Sequence, residues 1–268
     1  MSKEKELVQQ QFGANAAAYL TSAVHAKGAS LARLVELVGP RKDWIALDVA
    51  TGAGHTAAVF APHVAKAVAS DLTPEMLEQT RKLAAEKDLS NMETAIADAE
   101  ALPFSDASFD LVTCRIAPHH FPSVERFLAE VHRVLKPGGT FALVDNVAPD
   151  AETTPGFTAD ELKAAGAAYN AFEKLRDPSH GRALDTAEWI ELMEKVGLRL
   201  VHREHAPKAM DFQSWVKTMN VPADIVPRLA AMLDEASPAL KAFLKPSNAD
   251  GKRGFTLDEL IAVARRPA

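Results

Sequence analysis

The stretch WIALDVATGAGHTAAVFAP, residues 44–62, passes from an apolar run through an aspartate and a glycine-containing loop into an alanine-rich helical pattern. Glycine at positions 52 and 54 permits a sharp turn between a strand and a helix, and it lets a ligand approach the main chain. The first turn of the helix presents unpaired N–H groups and a partial positive charge. The stretch therefore predicts a strand–turn–helix unit that holds a nucleotide-like molecule.

Strand-like and helix-like patterns alternate around this unit. Residues 1–38, 74–87 and 124–136 have apolar residues at helical spacing, and the last of these patterns stops at Pro137-Gly138-Gly139. Short apolar runs predict strands at 44–49, 65–71, 92–98, 109–117 and 140–147. This alternation predicts an α/β fold with a doubly wound, mostly parallel sheet. Such sheets bind ligands at the carboxyl ends of their strands, where the strand order reverses.

The alternation of strand-like and helix-like patterns ends after Asp150. Residues 151–185 are mostly helical and polar, with a break at RDPSHGR. Asp185 and Glu188 predict a capping box at the start of the next helix. LRLVHRE, residues 198–204, predicts another strand, whereas residues 255–265 fit either a strand or a helix.

Composition limits the class of protein. The 268 residues are 47% hydrophobic and 25% charged, with a net charge of −6, which is typical of a globular protein and argues against a basic nucleic-acid-binding surface. We expect no membrane span, since no run of about 18 apolar residues occurs, and MSKEKELVQQQFG lacks the apolar core of a signal peptide. The single cysteine, Cys114, argues against a disulfide and a thiolate metal site. We expect a cytoplasmic protein without a metal; its oligomeric state stays open.

Aspartates end three successive predicted strands: Asp48, Asp71 and Asp98. A carboxylate at Asp48, just before the glycine loop, would repel a pyrophosphate and attract a cation. Asp71 can accept both hydroxyls of a ribose, and Asp98 lies within reach of an adenine amine. Together the three acids predict a cleft for an adenosine that carries positive charge, which describes S-adenosylmethionine with its sulfonium and ammonium groups.

The segments LDVATGAGHT, ASDLTPEML, ADAEALPFSDASFDLVTC and EVHRVLKPGG together resemble the successive motifs of class I S-adenosylmethionine-dependent methyltransferases. The resemblance covers about residues 40–148 and is strongest to the small-molecule group that includes the ubiquinone/menaquinone C-methyltransferases. The stretch from RDPSH to EW, residues 176–189, resembles a subgroup of methyltransferases of unassigned substrate. Many relatives have a third glycine or a cysteine in the loop, which here reads ATGAGH.

The resemblance implies a Rossmann-like, seven-stranded sheet whose last strand is antiparallel, and it favours a strand over a helix at 255–265. It also implies one methyltransferase domain over residues 1–268. Within it we expect a helical lid at 1–40, a cofactor-binding core at 41–150, a helical substrate cap at 151–185, and a C-terminal part at 186–268 that completes the sheet.

Carried over residue by residue, the resemblance assigns cofactor contacts to the loop, to the ends of the next strands and to the helix after the second strand. These residues are Asp48, Ala50, Thr51, Gly52 and Gly54 in the loop, Asp71 at the ribose, Leu72, Asp98 and Ala99 at the adenine, Met76 on the helix, and Arg115 at the methyl-transfer end. The expected product of the cofactor is S-adenosylhomocysteine.

Methyl transfer from a sulfonium depends mainly on holding the nucleophile in line with the methyl group, and a base helps only when the nucleophile arrives protonated. Histidine titrates near neutral pH, and RIAPHHF (115–121) follows the fourth strand. His119 or His120 is therefore a candidate base, with a cap or a buried hydrogen-bonded residue as the structural alternative. The other candidates for contact with the substrate are Arg115, Tyr19, His25 and His180.

Several functions stay open at this point. The first is methyl transfer to a small-molecule acceptor through carbon, oxygen, nitrogen or sulfur, and a narrower form of it is C-methylation in quinone biosynthesis. The segment GAGHTA (52–57) also matches the dinucleotide pattern G-x-G-x-x-G/A, which with Asp71 would suit an NAD-dependent oxidoreductase. A non-catalytic member of the fold is a further alternative, although the intact RIAPHHF segment favours an enzyme.

Overall fold

The structure, a computed structural model, describes residues 2–21, 29–249 and 251–268. The chain forms two compact units. The first consists of Met1–Asp145, Ile190–Glu204 and Ile261–Ala268, and the second of Asn146–Trp189 and His205–Leu260. The predicted roles of lid, core and cap for residues 1–40, 41–150 and 151–185 stay predictions.

Strands and helices alternate in the first part of the chain, as the sequence predicts. After α1 (Lys3–Thr21) and α2 (Ala29–Val38) follow β1 (Ile45–Val49), α3 (His55–Phe60), β2 (Lys66–Asp71), α4 (Pro74–Glu86), β3 (Met92–Ile96), β4 (Phe109–Arg115), α5 (Val124–Val134) and β5 (Leu135–Asn146). Pro74 occupies the first turn of α4, where its missing N–H costs no hydrogen bond. The buried face of α5 repeats at helical spacing through Val124, Phe127, Val131 and Val134.

The strands form one sheet in the order β3-β2-β1-β4-β5-β8-β6, with the short β7 paired to β8. Strands β1 to β5 are parallel. Strand β8 runs antiparallel to β5, because Gly138 and Gly139 bond to Arg266 whereas Val147 bonds to Asp258. The doubly wound, mostly parallel sheet is confirmed, and residues 255–265 form a strand and not a helix.

The strand order decides where a ligand can bind. The chain runs outward from β1 to β2 and β3, then returns to β4 beside β1, so the order reverses between β1 and β4. Right-handed crossovers then put the helices of the two halves on opposite faces of the sheet. This leaves a crevice at the carboxyl ends of β1 and β4, which is the expected place for a ligand.

The predicted helix 124–136 is two residues too long. Helix α5 ends at Val134, and Leu135 already has an extended backbone with φ −68° and ψ 139°. Lys136 precedes Pro137, and a residue before proline is disfavoured in a helix. Residues 135–139 therefore open strand β5, where the pairing register with β4 shifts between Phe109 and Leu111.

The second unit is largely helical. Its elements are α6 (Ala159–Arg176), the start of α7 (Thr186–Lys195), the later part of β6 (Arg199–Asp211), α8 (Phe212–Thr218), α9 (Val226–Asp234), α10 (Pro238–Leu244), β7 (Ser247–Ala249) and the first part of β8 (Lys252–Arg265). Its core is aromatic, with Trp215 stacked on Phe172 at 4.7 Å and edge-on to Phe255 at 5.0 Å. The predicted capping box is present, since the backbone N–H groups of Asp185 and Glu188 donate to each other's side chains.

Candidate active site

An open cavity of about 1000 Å³ lies at the carboxyl ends of β1 to β4, within the first unit. It is lined by residues that follow these strands, by the turn at 120–122, and by α1. The cavity thus lies where the reversal of strand order predicts a ligand.

The loop after β1 has a left-handed backbone at three positions: φ is +52° at Ala50, +56° at Gly52 and +88° at Gly54. A Cβ atom at Gly54 would lie 2.8 Å from Cγ2 of Thr80, so this position requires glycine for space as well as for conformation. A Cβ atom at Gly52 would meet no atom within 4 Å. Because Gly52 borders the cavity, a ligand can reach the main chain there.

Asp48 lies beneath this loop, outside the cavity lining. Its carboxylate accepts hydrogen bonds from the hydroxyls of Thr51 and Thr113 and from the N–H of Ala57, the last at 3.2 Å. Burial raises the pKa of Asp48 to about 6, against the lowering effect of the hydroxyl bonds and of the charge on Arg115. The buried carboxylate thus lies beneath the loop and holds it in place, and direct contact of Asp48 with the cofactor stays a prediction.

Asp71, at the end of β2, does line the cavity. Its carboxylate accepts hydrogen bonds from the N–H groups of Gly52 and Thr73, both at 2.9 Å. Burial raises the pKa of Asp71 despite these bonds. The two bonds join the glycine loop to the start of α4 and fix the direction of the carboxylate.

Asp98 follows β3 and lines the cavity beside Lys5 of α1. The ammonium of Lys5 donates to Asp98 at 2.6 Å and to Glu100 at 2.7 Å. Burial lowers the pKa of Lys5, but the bonds to these two carboxylates raise it more, so it lies above its ordinary value. The amide of Gln9 also donates to the carbonyl of Leu72 at 2.7 Å. Helix α1 is thereby fastened along this side of the cavity.

The turn after β4 brings Arg115, Ile116 and His120 to the cavity. Nε of Arg115 donates to the hydroxyl of Thr56 at 3.2 Å. Ile116 has φ +54°, a left-handed backbone that is rare for a β-branched residue. Its N–H donates to the carbonyl of Val144 at 2.8 Å, so strand β5 helps to hold this conformation.

His119 and His120 have different surroundings. The N–H of His119 donates to the Asp145 carboxylate at 3.0 Å, and its Nδ1 lies 2.6 Å from the other carboxylate oxygen. The His120 ring borders the cavity. Its centroid lies 4.2 Å from that of His119 and 5.0 Å from that of Phe12, which it meets edge to face. Of the two candidate bases, the structure thus brings His120 to the cavity and gives His119 a buried carboxylate partner.

Nine of the predicted cofactor contacts line one cavity. They are Ala50, Thr51, Gly52, Asp71, Leu72, Met76, Asp98, Ala99 and Arg115. The other two, Asp48 and Gly54, belong to the support of the loop.

The other predicted substrate contacts lie elsewhere or outside the description. The side chain of Tyr19 and the whole of His25 lie outside the described residues. His180 lies in the second unit, where its ring bonds to Asn170 at 2.8 Å and its carbonyl accepts from Lys174 at 2.6 Å. Substrate contact by these three residues stays a prediction.

Sequence reasoning missed Lys5, Gln9, Phe12 and Asp145. Asp145 lies near the carboxyl end of β5 and carries the signal that identified the other strand-end acids. The α1 residues carry no such signal, because Lys5 and Gln9 meet partners that are 93 and 63 residues distant in the chain.

Among residues 2–21, 29–249 and 251–268, no group of three or more His, Cys, Asp or Glu side chains is arranged to hold a metal ion. None of their helices combines the length and the apolar character that a membrane span needs.

Comparison with known proteins points to one family. A family model described as a methyltransferase domain matches residues 47–143. The uncharacterised methyltransferase YcgJ of Bacillus subtilis is 35% identical over 226 residues, which cover 84% of this chain and 85% of that protein. The crystal structure of YcgJ is similar to this chain with a TM-score of 0.79 at 32% sequence identity, and the similarity covers 89% of this chain and 98% of that one.

Two further proteins extend the comparison. A solved chain from Bacillus halodurans is 36% identical with a TM-score of 0.82, over 90% of this chain and all of that one. The ubiquinone/menaquinone biosynthesis C-methyltransferase UbiE of Brucella anthropi is 30% identical over 183 residues, which cover 66% of this chain and 63% of UbiE. Nothing in these matches favours an oxidoreductase.

Proposed function

This chain belongs to the class I S-adenosylmethionine-dependent methyltransferases, and we propose that it methylates a small-molecule acceptor in the cavity at the ends of β1 to β4. One observation carries the proposal. The open main chain at Gly52 and the strand-end carboxylates of Asp71 and Asp98 border the same cavity. An adenosine with a positively charged sulfur needs this combination of close backbone approach and acidic groups.

The residues present fit the cofactor. Asp71, directed by two backbone N–H groups, would accept the ribose hydroxyls. Leu72 and Met76 would pack on the adenine, and Asp98 with the N–H of Ala99 would bond to its edge. Lys5 already donates to Asp98, so the adenine amine and Lys5 compete for this carboxylate.

The methionine end of the cofactor would lie along Ala50, Thr51 and Gly52, with Arg115 at the transfer end. Asp48 acts on this end through the loop, because its bonds to Thr51 and Ala57 keep the loop in place. When bound, the cofactor supplies a methyl group that is already activated for displacement. The chain's own contribution is then mainly to hold the acceptor in line, which can supply about 7–11 kcal/mol of the barrier.

Calorimetric titration with S-adenosylhomocysteine tests the proposal. We expect measurable binding, and we expect Asp71→Asn to weaken it by about 10- to 150-fold, because a charged hydrogen bond contributes about 1.5–3 kcal/mol. The matched control is Asp43→Asn, since Asp43 is exposed just before β1, at the opposite edge of the sheet. Absence of heat with the wild-type chain at millimolar ligand would refute the proposal.

C-methylation in quinone biosynthesis is a second candidate, supported by the match to UbiE and by apolar side chains that border the cavity at Val8, Phe12, Ile116 and Phe121. The polar character of 151–185 argues against a long apolar tail under a cap. Incubation with methyl-labelled cofactor and a prenylated hydroquinone separates the two. Label on a ring carbon of the hydroquinone would support this candidate, and label confined to water-soluble products of a cell extract would oppose it.

A further inference from the structure

The turn from Arg115 to His120 is strained and also braced. A left-handed backbone is unfavourable for a residue other than glycine, and Ile116 adopts it at φ +54°. Such strain persists only where the surroundings determine it, and it is concentrated at functional sites. Here the bracing comes from β5, through the Ile116–Val144 bond and the two bonds of His119 to Asp145. The result is that Ile116 and His120 both border the cavity.

We propose that His120 is the catalytic base, that Asp145 and His119 are positioning residues for it, and that the acceptor carries an acidic hydroxyl of the phenol or enol type. This inference rests on the proposed function, and it names the substrate class that the acceptor end of the cavity suits.

The positioning follows from hydrogen-bond chemistry. An ionised carboxylate only accepts hydrogen bonds, so its bond to Nδ1 fixes His119 as the Nδ1–H donor. Asp145 is fully buried, and its second bond, to the His119 backbone, fixes the turn as well as the ring. The His120 ring then contacts both the ring of His119 and the ring of Phe12. These two contacts restrict rotation of the His120 side chain away from the cavity.

The charge of Arg115 and the pKa of the acceptor's hydroxyl together indicate the acceptor class. Arg115 borders the same cavity, and its positive charge opposes an ammonium acceptor and stabilises an oxyanion. A phenolic hydroxyl, with a pKa of about 10, lies within a few units of imidazole at about 6.5. An aliphatic hydroxyl has a pKa closer to that of water, about 15.7, so its pKa is matched less well to such a base. Val8, Phe12 and Phe121 offer an apolar surface for the acceptor's ring.

In the proposed step the hydroxyl proton passes to a ring nitrogen of His120. The electron pair released on the acceptor's oxygen, or on the carbon conjugated to it, forms the bond to the methyl carbon. The bond between the methyl carbon and sulfur breaks, with its electrons going to sulfur, so that neutral S-adenosylhomocysteine leaves. His120 returns its proton to solvent. After attack through carbon, the methylated carbon gives up its own proton through solvent and the carbonyl oxygen takes one up, which restores the hydroxyl.

Other charged groups will contribute to the pH dependence of this site. Those that border the cavity are Lys5, His55, Asp71, Asp98, Glu100 and Arg115, and Asp145 lies behind His119. The assay therefore compares isosteric variants of single groups over pH 5.5–9, and does not rest on the wild-type profile alone.

The first experiment measures transfer of label from methyl-labelled cofactor into a small-molecule cell extract. We expect His120→Gln to lower the rate by about 10²–10⁴-fold, with the affinity for S-adenosylhomocysteine within threefold of wild type. Asp145→Asn should lower the rate about 10-fold and move the acid limb of the profile to lower pH, because an anion that favours the protonated rings is lost. His63→Gln, an exposed histidine at the opposite edge of the sheet, is the matched control and should leave both quantities unchanged.

The second experiment needs no acceptor. Imidazole ¹⁵N spectra of the chain bound to S-adenosylhomocysteine should show His119 as the Nδ1–H tautomer. Asp145→Asn should shift the resonances of both His119 and His120. The amide of His119→Asn can still donate to Asp145, so the His120 resonances should stay closer to their wild-type positions in this variant than in His119→Ala.

The outcomes separate two failures. Absence of S-adenosylhomocysteine binding refutes the proposed function itself. Three outcomes would each overturn the present inference alone, provided that S-adenosylhomocysteine binds. They are a wild-type transfer rate in His120→Gln, a labelled product that is an N-methyl or S-methyl compound, and His120 resonances that do not shift in Asp145→Asn. A labelled methyl ether, or a methyl group on a carbon beside a hydroxyl, would support it.

Discussion

The loop after β1 and the turn after β4 each have a left-handed backbone position that a buried carboxylate stabilises, but the residues differ. Each follows a strand at the point where the order of the sheet reverses. Each contains a non-glycine residue in the left-handed region, Ala50 at φ +52° and Ile116 at φ +54°. A buried carboxylate braces each one, Asp48 for the loop and Asp145 for the turn.

The two regions differ in what the carboxylate holds. Asp48 bonds to two hydroxyls and one backbone N–H, so it shapes a main-chain surface. Asp145 bonds to a histidine ring, so it directs a side chain that can exchange protons. The first arrangement suits binding a molecule that the whole family shares, and the second suits chemistry with an acceptor that differs from one enzyme to another.

The largest expected effect tests whether the loop depends on space as well as on conformation. Gly54→Ala puts a Cβ atom 2.8 Å from Thr80 and an L-residue at φ +88°. We expect the free energy of unfolding to fall by about 2–5 kcal/mol, from overpacking and the left-handed backbone together. Urea denaturation measures it.

Gly52→Ala is the matched control, because its Cβ would meet nothing within 4 Å. It should lower the free energy of unfolding only by the cost of a left-handed backbone, about 1–2 kcal/mol, and it should also lower the affinity for S-adenosylhomocysteine. Equal losses of stability in the two variants would show that packing against α4 contributes nothing.

An effect of intermediate size concerns the carboxylate that braces the loop, Asp48, and is seen in how the free energy of unfolding changes with pH. The pKa of Asp48 is about 6 in the folded chain, above its ordinary 3.8, because burial disfavours the anion. A raised acid pKa means that the folded state binds the extra proton, so the contribution to stability is greatest below about pH 4 and is lost as pH rises to about 6. At 1.36 kcal/mol per pKa unit, the free energy of unfolding of wild type relative to Asp48→Asn should fall by about 2.5 kcal/mol between pH 4 and 7.

Urea denaturation of both chains at several pH values checks this. The difference between them matters, because Asp71 also has a raised pKa and contributes a slope that is common to both chains. A difference that stays constant from pH 4 to 7 would contradict the assignment.

The smallest effect concerns the left-handed residue of the loop. Ala50→Gly relieves a cost of about 1–2 kcal/mol but adds about 0.5–1 kcal/mol of unfolded-state entropy. We expect a net gain of about 0–1.5 kcal/mol in the free energy of unfolding, seen as a small rise in the urea midpoint. A clear loss of stability would mean that the Ala50 methyl group contributes packing that outweighs the strain.

Much of the architecture follows from local patterns in the chain. The alternation of strands and helices, the turn at Gly52 and Gly54, and acids at the ends of β1, β2 and β3 are all local signals. They were sufficient for the parallel sheet and for the position of the cavity, whereas the family resemblance supplied most of the nine predicted residues that line it. The end of α5 differed by two residues, because the restriction that Pro137 places on Lys136 outweighs the apolar spacing.

Sequence alone thus determined which elements form and which strand ends carry polar groups, because backbone preference and apolar periodicity act over a few residues. Only the tertiary structure decided which way those groups point. Asp48 turned beneath the loop, His120 faced the cavity while His119 met Asp145, and Lys5 reached Asp98 across 93 residues. These choices depend on burial and on hydrogen bonds between distant segments, and such contacts exist only once the sheet has brought the strand ends together.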